Sequence, residues 1–262
     1  MINWSDHLAT CGLHFFITMP LQAVEPQRLY QQIAAQLRAL INAGEFSVGA
    51  RLPAERDLAR QLGVSRPSVR EALIALEVEG WVEVRTGSGV YVLDRSRRTG
   101  QSLEPTEWGP LELIRARRVV EGEIAALAAA QARRKDLDAM GEALAAMKRD
   151  ADAGVLPLDG DRDFHTAIVT ACGNAVLVDT VQRFWDSRRG PLFERLGGHF
   201  ETVTSWRAAI DEHEAVYKAI QLRDAPAARA AMHAHMDKSH ARFSASWRRA
   251  RRTPATTPRK SP

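Results

Sequence analysis

The stretch from Arg51 to Val92, RLPAERDLARQLGVSRPSVREALIALEVEGWVEVRTGSGVYV, constrains the fold most. It reads as helix, tight turn, helix and two-stranded ribbon. Pro53 is tolerated in a helix's first turn, and Leu58, Ala59 and Leu62 then fall on one face. Gly63 ends that helix, as glycine does where a left-handed backbone is needed. Ser65 can cap the next helix, with Pro67 in its opening turn, where a missing N–H costs little. Val69, Ala72, Leu73 and Leu76 form its buried stripe. Arg66, Ser68 and Arg70 are thereby predicted to point outward near the N-terminal end, the part of a recognition helix that enters a major groove.

The ribbon supports a DNA-binding reading. Val82 and Val84 alternate with Glu83 and Arg85, Thr86-Gly87-Ser88-Gly89 turns the chain, and Val90 and Val92 alternate again. A glycine-rich tip lets backbone N–H groups approach phosphates closely. An ordinary small α+β domain would share the periodicity. It would not explain arginines gathered on one non-core side beside a glycine tip, where phosphate and guanine contacts are made.

The motifs are similar to the N-terminal domain of the GntR superfamily of transcription regulators. The resemblance rests on Leu52-Pro53-Ala54-Glu55-Arg56, Leu62-Gly63-Val64-Ser65-Arg66, Val69-Arg70-Glu71-Ala72-Leu73, Gly80-Trp81 and Gly87-Ser88-Gly89-Val90-Tyr91-Val92. A preceding helix from about Arg28 to Ala43 fits the family's first helix. The resemblance implies that Arg56, Arg66 and Arg70 contact phosphate or guanine and that Gly87 enters the minor groove. Ser65 and Ser68 are further candidates for phosphate oxygens, although each also suits a capping role. Pro67 stands where many members carry a hydroxyl residue, which removes one contact of the family's set.

Charge is informative through its distribution. The net charge is +4, but six basic residues and no acidic one lie from Arg248 onward, and the remaining Lys and Arg are outnumbered by the 32 acidic residues. Basic function is therefore local to the reading head and the tail. The reading divides the chain into an N-terminal extension over 1–24 and a winged helix-turn-helix over 25–93. A linker over 94–109, a helical sensor over 110–248 and a basic tail over 249–262 follow, with extension and tail expected to be disordered. Met19 opens the chain as members of this family ordinarily open, so residues 1–18 are expected to derive from an upstream start codon. Cys11 and Cys172 are too few and too distant for a disulfide framework or a metal knuckle. Neither a membrane-length apolar run nor a signal-peptide pattern is present, so cytoplasmic residence is expected.

After the linker the composition turns to helix formers. Six amphipathic segments are predicted, at 111–131, 135–151, 161–171, 175–188, 202–222 and 226–248, bounded by Gly173-Asn174 and Asp224-Ala225-Pro226. An all-helical bundle of this kind suits a ligand cavity between facing helices, and the fold class is mainly α. Asp161 and His165 are spaced i, i+4, which sets them on one helix face about 5–6 Å apart at Cβ. His213 and His235 lie in the fifth and sixth segments. One carboxylate and three imidazoles projecting into one bundle would suit a divalent ion: zinc, or alternatively nickel or manganese.

Asp161-x-x-Phe164-His165, Glu212-His213 and Met232-x-x-His235 resemble the metal-binding helical sensor (FCD) of the FadR-type branch, which implies Asp161, His165, His213 and His235 as ligands. Residues 115–129 and 175–196 further resemble regulators of hexuronate catabolism, implying that Arg117 and Arg188 face the cavity as partners for an acid's carboxylate or hydroxyls. The expected protein is a homodimeric repressor on a near-palindromic double-stranded operator, released by a sugar-acid carboxylate bound at the metal site. Two rivals remain open here. One is a metal-dependent hydrolase or lyase with an accessory DNA-binding head, for which Glu212 or Glu214 would have to act as base without a motif. The other is an effector-free DNA-binding protein with structural histidines.

Overall fold

A computed structural model describes residues 28–94, 103 and 107–244. The expected N-terminal extension, the basic tail and most of the linker lie outside these residues. The described chain runs α1 (Leu29–Asn42), α2 (Glu55–Leu62), α3 (Arg66–Val78), β1 (Val82–Arg85) and β2 (Gly89–Val92). It continues through α4 (Pro110–Gln131), α5 (Arg134–Asp152), α6 (Leu158–Ala171), α7 (Ala175–Ser187), α8 (Pro191–Phe200), α9 (Val203–Gln221) and α10 (Ala225–Ser244).

Gly63 and Ser65 act as expected in the head, whereas Pro53 lies ahead of the helix it is expected to open: α2 begins at Glu55 with Ala54 as its N-cap. Gly63 takes φ +66° at the C-cap of α2, and the Ser65 side chain accepts the Ser68 amide at the start of α3. β1 and β2 pair antiparallel, Val82 opposite Val92 and Val84 opposite Val90, so these four valines share the inner face. They close over Tyr30, Ile33, Leu37, Leu58, Val69 and Leu73, all buried. Gly87 turns the wing at φ +81°.

The sensor has one helix more than the six expected. Gly190 and Pro191 open α8, with proline in its first turn, so a helix fills the stretch left unassigned between the expected segments at 175–188 and 202–222. The third expected segment also begins earlier, at Leu158. α10 lies along α4 and α9, α5 pairs with α6, and α8 bridges the bundle to α3.

Part of the predicted linker is packed. Tyr30 Oη donates to the Glu107 carbonyl at 2.9 Å, and Trp108 meets Phe184 edge-on at 5.9 Å between centroids. Gly109 is required by its neighbour, because a Cβ there would sit 2.7 Å from Glu71 Oε1. That oxygen accepts the Leu111 and Glu112 amides at 2.7 and 3.0 Å, capping α4 with a side chain from α3.

Candidate DNA interface and candidate metal centre

The two candidate sites are built on different terms. In the head, a cleft of about 270 Å³ is lined by Arg51, Arg56, Arg66 and Gly87 among others, between α2 and the wing tip. Arg56 is 78% exposed at its side chain and Arg66 51%. Ser65 and Ser68 hydrogen-bond each other at 2.8 Å, and Ser65 caps α3, so both hydroxyls already have partners. Arg51 was not anticipated from sequence. It bridges to Tyr91, and a Cβ on Gly89 would lie 2.5 Å from its Nε, so the wing glycine gives this arginine room.

Arg70 corrects the sequence expectation of an outward-pointing side chain. It is 1% exposed, with Nε and Nη2 on Glu55 Oε2 at 2.9 and 2.6 Å. Its Nη1 donates to the Phe243 carbonyl of α10 at 2.8 Å, and its guanidinium lies over the Phe200 ring. Amphipathic periodicity puts Arg70 off the head's own core, and that much is right. The sensor covers the face that periodicity leaves open.

In the sensor, α6 supplies Asp161 and His165, α9 supplies His213 and α10 supplies His235, all buried. One ligand-capable atom from each lies within 4.8 Å of the others. His213 Nε2 is 2.9 Å from Asp161 Oδ1 and 3.2 Å from His165 Nε2. Donors about 2.0–2.1 Å from one ion would stand about 3 Å apart, so the spacing fits a divalent cation.

The outer nitrogens of two of the three rings have hydrogen-bond partners. His213 Nδ1 faces the Ala209 carbonyl at 2.7 Å, and His235 Nδ1 faces Glu212 Oε2 at 3.0 Å. His165 Nδ1 is in close but bent contact with Glu121 Oε2, at 2.5 Å. The acceptors behind His213 and His235 favour the Nδ1–H tautomer, which turns each Nε2 lone pair inward, as outer partners of metal-bound histidines do.

Charge states match that task. Burial alone would raise the Glu121 pKa, but Arg117 and His165 outweigh it and hold the carboxyl well below the usual range. Burial likewise opposes ionisation of Asp161, and Arg188 with His213 overcomes it. Glu212, despite burial, is brought down to about 2 by His235 and Arg242. Burial pushes His165 down against the pull of Glu121, and burial with His213 pushes His235 down to about 3. The carboxylates are therefore ionised and these two imidazoles neutral, the protonation states that metal ligation requires.

Sequence reasoning missed Glu121 as a partner and considered Glu212 only as a catalytic base. Glu212 is bound by both nitrogens of Arg242 at 2.8 and 3.0 Å, and Glu214 pairs with Lys148 outside the cluster. Neither is a free base beside the centre. Of the two expected cavity arginines, Arg188 donates to Asp161 Oδ2 at 2.6 Å. Arg117 is directed at Glu121, at 2.5 Å. Both stack on Trp185, whose Nε1 is buried without a hydrogen-bond partner. A cavity of only about 30 Å³ adjoins the cluster, lined by Arg117, Asp161, Arg188, Phe200 and Trp206 among others. Across Arg188 and Glu201 lies a larger one of about 340 Å³, walled by Trp185, Arg162 and Arg189. Among the described residues no helix is long and apolar enough to cross a membrane.

Both halves of the chain match known protein families. Residues 29–92 match the bacterial regulatory proteins of the gntR family, and residues 112–238 match the FCD domain. The Exu regulon transcriptional regulator of Escherichia coli K12 is 38% identical over 228 residues, 84% of this chain and 86% of that one. The Uxu operon transcriptional regulator of the same strain is 37% identical over 222 residues, covering 82% and 86%. A solved GntR structure from Streptococcus agalactiae is 26% identical and covers 80% of this chain and 98% of its own, with a TM-score of 0.43.

Proposed function

This chain belongs to the gntR family of bacterial regulatory proteins, with an FCD domain behind its DNA-binding head, and from that premise we propose release from its operator by a sugar acid bound at a metal-loaded Asp161–His165–His213–His235 cluster. The family carries the class: a ligand-responsive DNA-binding transcription regulator, not an enzyme. The effector, the ion and the dimeric arrangement are the reading added here.

The observation that carries this reading is the convergence of ligand atoms of Asp161, His165, His213 and His235 within 4.8 Å of one another, with Nδ1 of His213 and His235 held from outside. A purely structural cluster has no need to gather four ligand-capable atoms at one point. A divalent ion held there would supply Lewis acidity toward a carboxylate or hydroxyl oxygen. Among the described residues, Arg188 holds Asp161 and walls both cavities, so it is placed to take an acid's second oxygen. The space beside the cluster admits about one water, whereas 340 Å³ is within the range of small-molecule pockets. The body of a sugar acid belongs in the larger space, against Trp185. Relatives named for the Exu regulon and the Uxu operon favour a hexuronate.

On the DNA side, two copies would present Arg56, Arg66 and the Gly87 wing tip to the half-sites of a near-palindromic duplex. The ligand acts only through a difference in its affinity for the two arrangements of the heads.

The test is a thermal-shift screen of zinc-, nickel- or manganese-loaded protein against glucuronate, galacturonate, fructuronate, tagaturonate and aldonates, with citrate as control. A ligand at a hundred times its Kd stabilises by about 2.7 kcal/mol. A hexuronate shift that vanishes in His213→Ala is expected. Metal bound with no sugar-acid shift would overturn the effector class.

A further inference from the structure

α3 carries three buried ionisable side chains, and each meets an atom of the sensor. Arg70 reaches the Phe243 carbonyl of α10, and Glu71 caps α4 through the Leu111 and Glu112 amides. Glu77 takes Arg195 Nη2 at 2.8 Å and His199 Nε2 at 2.7 Å, both from α8, along with the Val84 amide of the wing. Such charge-assisted bonds to a buried carboxylate are among the stronger polar contacts a protein makes. A free reading head has no reason to bury an arginine whose sequence position is that of a DNA contact.

We propose that the α8–α10 corner is an intramolecular docking surface for the recognition helix, exclusive with DNA because it occupies Arg70. Arg70 cannot lie 1% exposed against Phe200 and Phe243 and also meet a phosphate. The same corner belongs to the ligand site. Phe200 and Phe243 wall the 30 Å³ cavity, and Arg188, bound to Asp161, precedes the Gly190 N-cap of α8 by two residues. The route from cluster to recognition helix is contiguous: Asp161, Arg188, α8, then Glu77 and Arg70. This docking rests on the regulator reading above and deepens it, naming the surface that holds the head out of use.

The experiment breaks the surface from the sensor side, away from the DNA-facing residues. In Arg195→Ala/His199→Ala the docked state leaves Glu77 with two charge-assisted bonds fewer, so it is disfavoured. The probe is the duplex that the wild-type protein selects from a random-sequence pool. The double variant is expected to bind it about tenfold tighter without any added ligand, equivalent to about 1.4 kcal/mol. Unchanged or weaker affinity in a variant that melts like the wild type would overturn the proposal. A second readout needs neither duplex nor intact affinity: phenylglyoxal modification mapped by mass spectrometry. Arg70 is expected to be protected in the wild type while Arg56 reacts, and to become reactive in Glu77→Gln and in the double variant. Arg70 as reactive as Arg56 in the wild type would overturn the docking even if the protein selected no duplex, an outcome that would separately sink the DNA reading.

Discussion

The reading head and the sensor centre both concentrate charge, and they hold it in opposite ways. At the centre, Asp161 and the three histidines are buried, and Nδ1 of His213 and of His235 is already oriented. In the head, Arg56 and Arg66 stand in solvent, and Arg66 rests on Glu55 at 3.0 Å. The exposed Arg66–Glu55 pair is worth about 1 kcal/mol or less, so a phosphate displaces it readily. The difference follows from the partner. A small ion needs a fixed shell with protonation states set beforehand. A polyanion is met by exposed charges whose provisional partners give way. Arg70 is the exception that joins the two regions: a head residue held on the sensor's terms.

The largest break in that comparison is His213→Ala. Losing a fully buried ligand is expected to abolish metal retention, a drop of about a thousandfold or more by calorimetry, while ligand-free operator affinity stays within about threefold. Equal collapse of DNA binding would make the centre structural. Next is Glu121→Gln, which leaves the ligands in place and removes the charge facing His165 Nδ1. Outer partners of this kind contribute about 10–100-fold in metal affinity, and no change on titration would mean that Glu121 does not orient His165. Arg66→Ala sharpens the other side. It is expected to weaken the operator by about 1–3 kcal/mol, with metal content untouched; an unaffected affinity would take the recognition helix out of the groove.

The smallest effect is a pH dependence at the joint between the regions. Burial pushes Glu71 up to about 7, against the pull of the two α4 amides it accepts. Its folded pKa is thus raised over the unfolded value. The contribution from its protonated form is full below about pH 4.5 and is lost as pH rises through about 7. Glu71→Gln should flatten that part of the stability curve, a change of a few degrees in Tm. A wild-type curve unaltered by the substitution would return Glu71 to an ordinary carboxylate.

Much of this was legible in local sequence. Gly63, Ser65 and Pro67 mark the helix-turn-helix because each acts within one turn of itself. Asp161 and His165 announce a shared face through their spacing alone. What stayed hidden depends on chain segments far apart. The outward side of α3 is outward only until α8 and α10 arrive, more than 100 residues later in the chain, so local periodicity alone sets Arg70 in solvent. Glu121 and Glu212 are ordinary helix glutamates until the fold sets them behind His165 and His235. α8 had its signal in Gly190-Pro191, but its 10 residues are too short a run for apolar periodicity to mark on their own.

The most direct test of the account is operator anisotropy of metal-loaded wild type and His213→Ala, titrated with glucuronate and galacturonate on the selected duplex. A ligand-induced loss of affinity of about 5–150-fold in the wild type, absent from the variant, is the expected result. Equal release of both proteins, or no response from the wild type, would contradict the claim that the buried cluster senses the effector for the head.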